Sequence, residues 1–185
     1  PPENILKVDL YGVALVFDAF EQVIAPGGSG IVISSMAGHM PDHLTAEQEH
    51  ALAYTPTEEL LALPMLSAEA VPDSMAAYGI AKKANHLRVR ACALSWGERG
   101  ARVNSISPGI IATPLARHEM TSPSAVIYFA MIEASPAKRM ASAEEVAAAA
   151  AFLLGPEANF ITGSDLLMDG GVIAAMKAGR LNNPV

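Results

Sequence analysis

Three short segments rich in branched apolar residues alternate with helical segments along the chain. Residues 31–35 read Ile-Val-Ile-Ser-Ser, residues 102–107 read Arg-Val-Asn-Ser-Ile-Ser, and residues 165–169 read Asp-Leu-Leu-Met-Asp. Consecutive β-branched residues without alternation, as in the first segment, are typical of a strand buried on both faces of a parallel sheet. Apolar spacings of three and four predict helices over residues 78–98 and 143–154. This alternation predicts an α/β fold with parallel strands and right-handed crossovers.

The first segment, residues 2–24, is predicted to be a helix with two apolar faces. One stripe at helical spacing comprises Ile5, Val8, Gly12, Leu15, Ala19 and Val23. The other comprises Leu6, Leu10, Val13, Phe17, Phe20 and Ile24. We expect such a helix to pack on both sides, against a sheet and against another helix or subunit. The unpaired apolar face favours a homodimer or a homotetramer.

Composition excludes several classes of protein. The 185 residues are 51% apolar and 17% charged, which excludes an intrinsically disordered chain. The net charge of −7 and the scattered basic residues exclude a nucleic-acid-binding face, which needs clustered Lys and Arg. The longest apolar run, residues 146–154, falls well short of the roughly 20 residues of a membrane span, so no membrane association is predicted. A single cysteine, Cys92, fits a cytoplasmic location.

The five histidines do not show the spacing of a metal site. His39 and His43 are four positions apart, but Pro41 between them breaks the helical register. We therefore predict no metal, because the ligand pattern of structural and catalytic zinc sites is missing. His86, two turns beyond Tyr78, is interpreted as a structural residue rather than a proton carrier. The two remaining histidines, at unrelated spacings, are His50 and His118.

Residues 1–185 are interpreted as one α/β domain with an insertion at residues 39–76. The insertion contains four prolines and two short helix-like pieces, residues 45–53 and 57–63. It is either a surface insertion that packs onto the domain or a lid over a bulky, apolar substrate. The apolar side chains on which both interpretations rest are Met40, Leu44, Leu52, Tyr54, Leu60, Leu61, Leu63, Met65, Leu66 and Met75.

One pair of residues points to proton-transfer chemistry. Tyr78 and Lys82 are four positions apart, which places them on one face of a helix. An ammonium near a phenol favours the phenolate, and such a tyrosine exchanges a proton with an alcohol or a carbonyl oxygen. Ser35 ends a predicted strand, where ligands of open α/β sheets bind, and its hydroxyl is able to hydrogen-bond the same oxygen.

Three further motifs strengthen the functional interpretation of Tyr78 and Lys82. Residues 34–38 read Ser-Ser-Met-Ala-Gly, residues 104–114 run from a strand through Pro-Gly to Thr-Pro, and residues 161–171 end in two glycines. Together with Tyr78 and Lys82, these motifs resemble the short-chain dehydrogenase/reductase family over nearly all of residues 3–172. The wide gap of 43 positions between Ser35 and Tyr78 resembles the 3α-hydroxysteroid dehydrogenase/carbonyl reductase branch.

The resemblance implies a doubly wound, Rossmann-type parallel sheet and a role for each matching residue. Ser35 is implied to polarise the substrate and Tyr78 to act as the catalytic acid/base. Lys82 is implied to favour the phenolate and to hold the nicotinamide ribose. The turn that contacts the nicotinamide carboxamide and phosphates is matched by Pro108, Gly109, Ile111 and Thr113.

The chain departs from the family pattern in two places. Asp9 stands where the family usually has an asparagine that supports a proton relay, and an ionised carboxylate cannot donate hydrogen bonds as an amide does. The glycine-rich phosphate fingerprint is absent, since residues 27–30 precede a strand rather than follow one. The chain therefore resembles a C-terminal portion that lacks the N-terminal strands. The strand at residues 31–35 is then an apolar edge, and we predict that residues 1–185 alone do not remain a soluble monomer.

We expect an oxidoreductase that transfers a hydride between NAD or NADP and a secondary alcohol or ketone. Its substrate is expected to be bulky and apolar, such as a steroid or terpenoid alcohol. The residue that selects NAD or NADP usually follows the second strand, which this chain lacks. The alternatives are a non-catalytic member or fragment that acts as a binding or oligomerisation partner, and a lyase or epimerase on the same scaffold.

Overall fold

The computed structural model describes residues 1–40, 44–122 and 125–181. The first helix, α1, consists of α-helical Pro2–Ile5, π-helical Leu6–Gly12 and α-helical Val13–Val23. The strands are β1 (Ser29–Ile33), β2 (Arg102–Pro108) and β3 (Asp165–Met168). The other α-helices are α2 (Ala46–Tyr54), α3 (Ser74–Glu98), α4 (Pro114–Glu119), α5 (Ala125–Ala134), α6 (Ala143–Leu154) and α7 (Val172–Lys177). Short 3₁₀ helices span Met36–His39, Thr57–Ala62, Pro64–Leu66 and Pro156–Ala158.

The sheet of the described residues has three parallel strands in the order β1-β2-β3. Ile33 pairs with Ile106, and Ser105 pairs with Asp165. Val32 packs with Phe17 and Val89 on one face, whereas the next residue along β1, Ile31, packs with Leu153 on the other. Since neighbouring side chains of a strand point to opposite faces, α1 and α3 cover one face and α6 covers the other. The predicted doubly wound α/β fold is confirmed.

β1 differs from its prediction in position and burial. It begins at Ser29 and ends at Ile33, two residues before the predicted end, and Ile33 is 52% exposed. Helices cover both faces of β1, but its side chains are only partly buried. The prediction that this strand is an edge agrees with the described sheet, in which β1 has a neighbour on one side alone. Ser34 continues the ladder with one bond, from its N–H to the carbonyl of Ile106 at 2.7 Å.

α3 begins four residues earlier than the apolar pattern predicted. The side chain of Asp73 accepts hydrogen bonds from the N–H groups of Met75 and Ala76, both at 2.9 Å. A carboxylate at this position satisfies the first free N–H groups of a helix and complements its dipole. Tyr78 consequently lies in the second turn of α3 rather than at its start, where its position is fixed by backbone hydrogen bonds.

The two apolar stripes of α1 lie in different surroundings. Leu6, Leu10 and Phe17 of the second stripe are buried against α3 and its neighbours. Val8 and Val23 of the first stripe are 68% and 72% exposed. Packing on both sides is therefore not seen within the described chain, and the association of copies stays a prediction. No helix in the described residues is long and apolar enough to cross a membrane.

The described part of the insertion packs onto the domain. Leu52, Leu60 and Leu66 are buried in one cluster with α1 and α3. The guanidinium of Arg88 on α3 donates to the carbonyls of Leu52 and Thr55 at 3.2 and 3.0 Å. Most of the apolar side chains that suggested a lid therefore have a packing role. Those of the ten that reach the cleft described below are Met40 and Met75.

Candidate active site

A cleft of about 560 Å³ opens beyond the carboxyl ends of β1 and β2. Lys82 and Pro108 are buried behind its wall. The structure thus brings together residues that are up to 78 positions apart in sequence. The residues predicted from the motifs that line this cleft are Ser35, Tyr78, Gly109, Ile111 and Thr113.

Ser35 sits at the start of the 3₁₀ helix that follows β1. Its backbone is extended, with φ −162° and ψ 153°, and its Oγ accepts a hydrogen bond from the N–H of Ala37 at 3.1 Å. The hydroxyl acts as an N-cap, so its oxygen accepts a hydrogen bond while its proton is not used by the cap. Among the described residues, Ser35 donates to no group. Its O–H is therefore available to a ligand oxygen in the cleft.

Tyr78 and Lys82 are stacked one helical turn apart on α3. The Nζ of Lys82 lies 5.3 Å from the centre of the Tyr78 ring. Lys82 is buried, whereas Tyr78 is 36% exposed. The lysine thus places a positive charge behind a phenol that faces the cleft.

Asp9 is the partner of the buried ammonium. Its Oδ1 lies 3.1 Å from the Nζ of Lys82. Asp9 belongs to the π-helical stretch Leu6–Gly12 of α1, and such irregular turns inside α-helices are frequent at functional sites. The departure from the family's asparagine therefore has a structural consequence: Asp9 forms a direct ion pair with the Lys82 ammonium.

The turn after β2 forms the cleft wall opposite the 3₁₀ helix. A Cβ at Gly109 would lie 2.7 Å from the Cα of Asp169, so the turn is able to pass the end of β3 because this residue has no side chain. Ile111 pairs with Ala141 in an isolated parallel bridge. Thr113 caps α4, its Oγ1 accepting from the N–H of Ala116 at 3.1 Å.

The rest of the wall is mainly apolar, with one polar pair. Tyr128 and Glu119 line the cleft together. Burial raises the pKa of Tyr128, and the charge of Glu119 and a hydrogen bond with it raise the pKa further. No sequence motif pointed to this pair. The apolar lining consists of Ile5, Met36, Met40, Met75, Ile110, Leu115, Ile127 and Met131.

A second polar group lies beneath the cleft, and spacing in the sequence did not reveal it. We call it the histidine cluster; it comprises His39, His86, Asp165, Ser105 and Ser107. The Asp165 carboxylate accepts hydrogen bonds from Ser105 at 2.6 Å, Ser107 at 2.8 Å and His39 Nε2 at 2.7 Å. Ser107 Oγ also lies 2.8 Å from His86 Nε2. Because the one hydroxyl proton of Ser107 goes to Asp165, its oxygen accepts from the N–H of His86.

Burial and these contacts set the charge of the cluster. Burial raises the pKa of Asp165, but the hydrogen bond from His39, the charge of His86 and the two serine hydroxyls outweigh burial and lower the pKa to about 2. Burial lowers the pKa of His86 to about 4, against the opposing effect of the Asp165 charge. At neutral pH the cluster therefore holds an ionised carboxylate beside a neutral His86. His86 is buried and forms a hydrogen bond with Ser107, which agrees with its interpretation as a structural residue.

The distances in the cluster are those of hydrogen bonds rather than of metal coordination. His39, His86 and Asp165 are ligand types whose donor atoms lie within 4.8 Å of one another. Ligands at about 2.0–2.1 Å around a tetrahedral zinc ion are roughly 3.3 Å apart. His39 Nε2 and Asp165 Oδ2 are 2.7 Å apart, and a serine hydroxyl faces His86 Nε2. His43, which the sequence paired with His39, lies outside the described residues.

Known proteins are similar to this chain in sequence and in fold. The family model described as Enoyl-(Acyl carrier protein) reductase matches residues 43–173. The short-chain dehydrogenase/reductase bsc3 of Alternaria brassicicola is 42% identical over 176 residues, which are 93% of this chain and 63% of that protein. The 3-alpha-hydroxysteroid dehydrogenase/carbonyl reductase of Comamonas testosteroni is 32% identical over 177 residues, 94% of this chain and 67% of that protein.

A solved structure supports the same relationship. The 3-alpha-hydroxysteroid dehydrogenase from Pseudomonas sp. B-0831, complexed with NADH, is 30% identical with a TM-score of 0.73. The alignment covers 92% of this chain and 66% of that one. The chain thus spans about two thirds of the length of the relatives it matches. The resemblance inferred from the motifs around Ser35, Tyr78 and Lys82 is confirmed: this chain belongs to the short-chain dehydrogenase/reductase family.

Proposed function

We propose that the protein carrying this chain is an NAD(P)-dependent oxidoreductase that interconverts a secondary alcohol and a ketone. The observation that carries the proposal is that Ser35 and Tyr78 line one cleft while the Lys82 ammonium lies behind the Tyr78 ring. Relatives named as alcohol dehydrogenases or carbonyl reductases support the reaction class.

In the proposed reaction, Tyr78 exchanges a proton with the substrate oxygen. The Lys82 ammonium lies one turn away on the same helix, 5.3 Å from the centre of the Tyr78 ring, where a positive charge stabilises negative charge that develops during proton transfer. Ser35 donates its free hydroxyl proton in a hydrogen bond to the same oxygen, where negative charge develops during ketone reduction. Asp9 holds Lys82 in place through the 3.1 Å ion pair.

The residues of the cleft fit a nicotinamide cofactor. The N–H of Ile111 donates to none of the described residues, although Ile111 lies in the cleft wall. An amide N–H without an acceptor, beside the Thr113 hydroxyl, suits the carboxamide of a nicotinamide. When bound, NAD or NADP supplies or accepts the hydride. Gly109, Ile111 and Thr113 would hold its nicotinamide end, Pro108 would shape the turn, and Lys82 with Tyr78 would hold its ribose.

The substrate is proposed to be bulky and apolar, such as a steroid or terpenoid alcohol. The apolar side chains Met40, Met75 and Met131 line the space next to Tyr78. Thioether side chains adapt to irregular ligand surfaces. We expect Met75→Ala to reduce the preference for a bulky cyclic ketone over a small ketone, measured as the ratio of their kcat/KM values. An unchanged ratio would contradict this assignment of the substrate.

Replacing Tyr78 by Phe tests the proposed reaction. Loss of the phenolic proton is expected to reduce ketone reduction about 10²- to 10⁴-fold, the usual contribution of general acid/base catalysis. The matched control is Tyr54→Phe, because Tyr54 is exposed on α2 and outside the cleft. The reaction is followed as oxidation of NADH or NADPH in the protein that carries this chain. An undiminished rate in Tyr78→Phe would refute the oxidoreductase.

A second candidate function is supported by the exposed stripe of α1. Val8 and Val23 leave an apolar face without a partner in the described chain. We propose that this face joins copies of the protein into a homodimer or homotetramer, and a non-catalytic binding role would use the same face. Val8→Asp is expected to lower the oligomeric state measured by light scattering, with the exposed Val126→Asp on α5 as control. A cytoplasmic location is proposed from the single cysteine alone.

A further inference from the structure

The histidine cluster lies at the junction of the two elements that carry the proposed catalytic residues. The 3₁₀ helix Met36–His39 begins directly after Ser35 and ends at His39. α3 carries Tyr78, Lys82 and His86 on successive turns. The same two elements therefore contribute one end to the cleft and the other end to the cluster.

The 3₁₀ helix is pressed against α3 with no space between the backbones. A Cβ at Gly38 would lie 2.6 Å from Cε1 of His86 and 2.7 Å from the carbonyl carbon of Lys82. Ser34 Oγ donates to the carbonyl of Lys82 at 2.9 Å. The approach of the two elements is thus fixed by one hydrogen bond on the side of Ser34.

On the opposite side, the 3₁₀ helix is held by one side chain. His39 Nε2 donates to Oδ2 of Asp165 at 2.7 Å, which connects the end of the helix to β3. Asp165 is itself fixed by the hydroxyls of Ser105 and Ser107, which are both fully buried on β2. A carboxylate with three hydrogen-bond donors at 2.6–2.8 Å has little freedom to move.

We propose that the His39–Asp165 hydrogen bond positions Ser35 relative to Tyr78. Three helical residues separate His39 from Ser35, and two backbone hydrogen bonds stiffen this segment, Gly38 N–H to Ser35 O at 3.0 Å and Met40 N–H to Ala37 O at 3.2 Å. The inference rests on the proposed function of Ser35. His39 and Asp165 touch neither substrate nor cofactor in this assignment, so they are positioning residues. A misplacement of about 1 Å in such a group is able to cost about 10²-fold in rate.

The test compares two polar substitutions of different reach. Glutamine places an N–H where histidine has Nε2, whereas asparagine is one methylene too short to reach Asp165. His39→Asn is expected to lower kcat for ketone reduction about 10- to 100-fold with the KM for ketone changed less than about threefold, because the hydrogen bond from Ser35 strengthens in the transition state. His39→Gln is expected to restore kcat to within about threefold of the wild-type value.

The matched control is His50→Asn, at an exposed histidine on α2 that contacts the Tyr54 ring. A purely structural role of His39 would lower the melting temperature of both His39 variants and leave kcat per folded molecule unchanged. Wild-type kcat in His39→Asn, or an equal loss of kcat in His39→Gln and His39→Asn, would overturn the positioning role.

Hydrogen exchange of the amides in residues 35–40 separates this inference from the proposed function. Exchange is expected to accelerate at least tenfold in His39→Asn, to stay near the wild-type rate in His39→Gln, and to stay unchanged in α6 of both variants. If the wild-type protein reduces no ketone with NADH or NADPH, the proposed function fails, and the exchange rates alone decide whether the anchor exists. Unchanged exchange in His39→Asn would refute the anchor.

Discussion

The cleft and the histidine cluster both include residues of α3 and of the segment Ser35–His39, yet the polar groups of the cleft have unused donors and those of the cluster are paired. In the cleft, the hydroxyls of Ser35 and Tyr78 donate to none of the described residues. In the cluster, each side chain has a hydrogen-bond partner within the cluster, and Asp165 accepts three hydrogen bonds. Unused donors next to open space are suited to binding and chemistry, whereas complete pairing in a buried site contributes to stability and rigidity.

The cleft and the cluster also differ in how their polar groups contribute to the free energy of unfolding. A complete buried polar network makes the fold rigid and specific, and removal of one member destabilises the fold strongly because the remaining groups stay buried without partners. An unpaired hydroxyl in a cleft costs little because water replaces the ligand. Substitutions that remove buried partners in the cluster should therefore lower the free energy of unfolding, and substitutions in the cleft should mainly change the rate of reaction; His39, at the end of the 3₁₀ helix that begins after Ser35, is expected to act on the rate as well.

The largest expected effect on stability is that of Asp165→Ala. The change leaves the hydroxyls of Ser105 and Ser107 and the N–H of His39 without their acceptor, and we expect a loss of about 4 kcal/mol in the free energy of unfolding. Urea unfolding measures it. Tyr78→Phe in the cleft is the comparison and should stay within about 0.5 kcal/mol of wild type. A loss below about 1 kcal/mol in Asp165→Ala would show that the cluster is not a stabilising network.

The second-largest expected effect on stability is the loss at acid pH that arises from protonation of His86. Its pKa is about 4 in the folded state and about 6.5 in the unfolded state, so the unfolded state binds the proton first. Stability is complete above about pH 6.5 and falls by on the order of 3 kcal/mol as the pH drops to about 4. The groups that act on His86 are Asp165, His39, Lys83 and Arg90.

Unfolding in urea at several pH values measures this loss. His86→Gln should flatten the curve between about pH 6.5 and 4, whereas His118→Gln, at an exposed histidine, should not. The contribution of Asp165 lies lower, because its lowered pKa of about 2 places its loss below about pH 4. Equal slopes in wild type and His86→Gln would contradict the assignment to His86.

Gly38→Ala tests the close approach that joins the two regions. The added methyl group would overlap His86 and the backbone of Lys82, and we expect a loss of about 2 kcal/mol together with a lower kcat. The control is Gly97→Ala, within α3 itself, where a Cβ meets nothing within 4 Å. That substitution should stabilise the helix by up to about 1 kcal/mol. Thermal unfolding of both variants measures these effects. An unchanged stability of Gly38→Ala would contradict the close approach.

The smallest expected effect on stability, with a large effect on rate, is that of Ser35→Ala. Loss of the N-cap should cost about 1 kcal/mol, and loss of the hydrogen bond to the substrate oxygen should lower kcat about 10- to 10³-fold. Thr45→Ala removes a comparable N-cap from α2, far from the cleft, and should cost the same stability with kcat unchanged. Equal rates in the two variants would remove Ser35 from the site.

Local spacing predicted the parts of the molecule that depend on local forces. The strand and helix segments follow from apolar periodicity, and Tyr78 and Lys82 share a face because they are four positions apart on a helix. The start of α3 was missed because its cap, Asp73, lies outside the apolar pattern. The burial of β1 was overestimated because the residue types of a strand do not reveal how completely the helices on its two faces cover it.

The sequence by itself determined the α/β order, the polar residues at the strand ends and the Tyr78–Lys82 pair, since these depend on contacts within a few residues. Only the tertiary structure decided that His39 meets Asp165, which is 126 positions away, and that Asp9 faces Lys82. The first contact joins the 3₁₀ helix to β3 and the second joins α1 to α3, and no local pattern encodes either packing. Burial lowers the pKa of His86, whereas hydrogen bonds from distant residues lower the pKa of Asp165 against the effect of its burial.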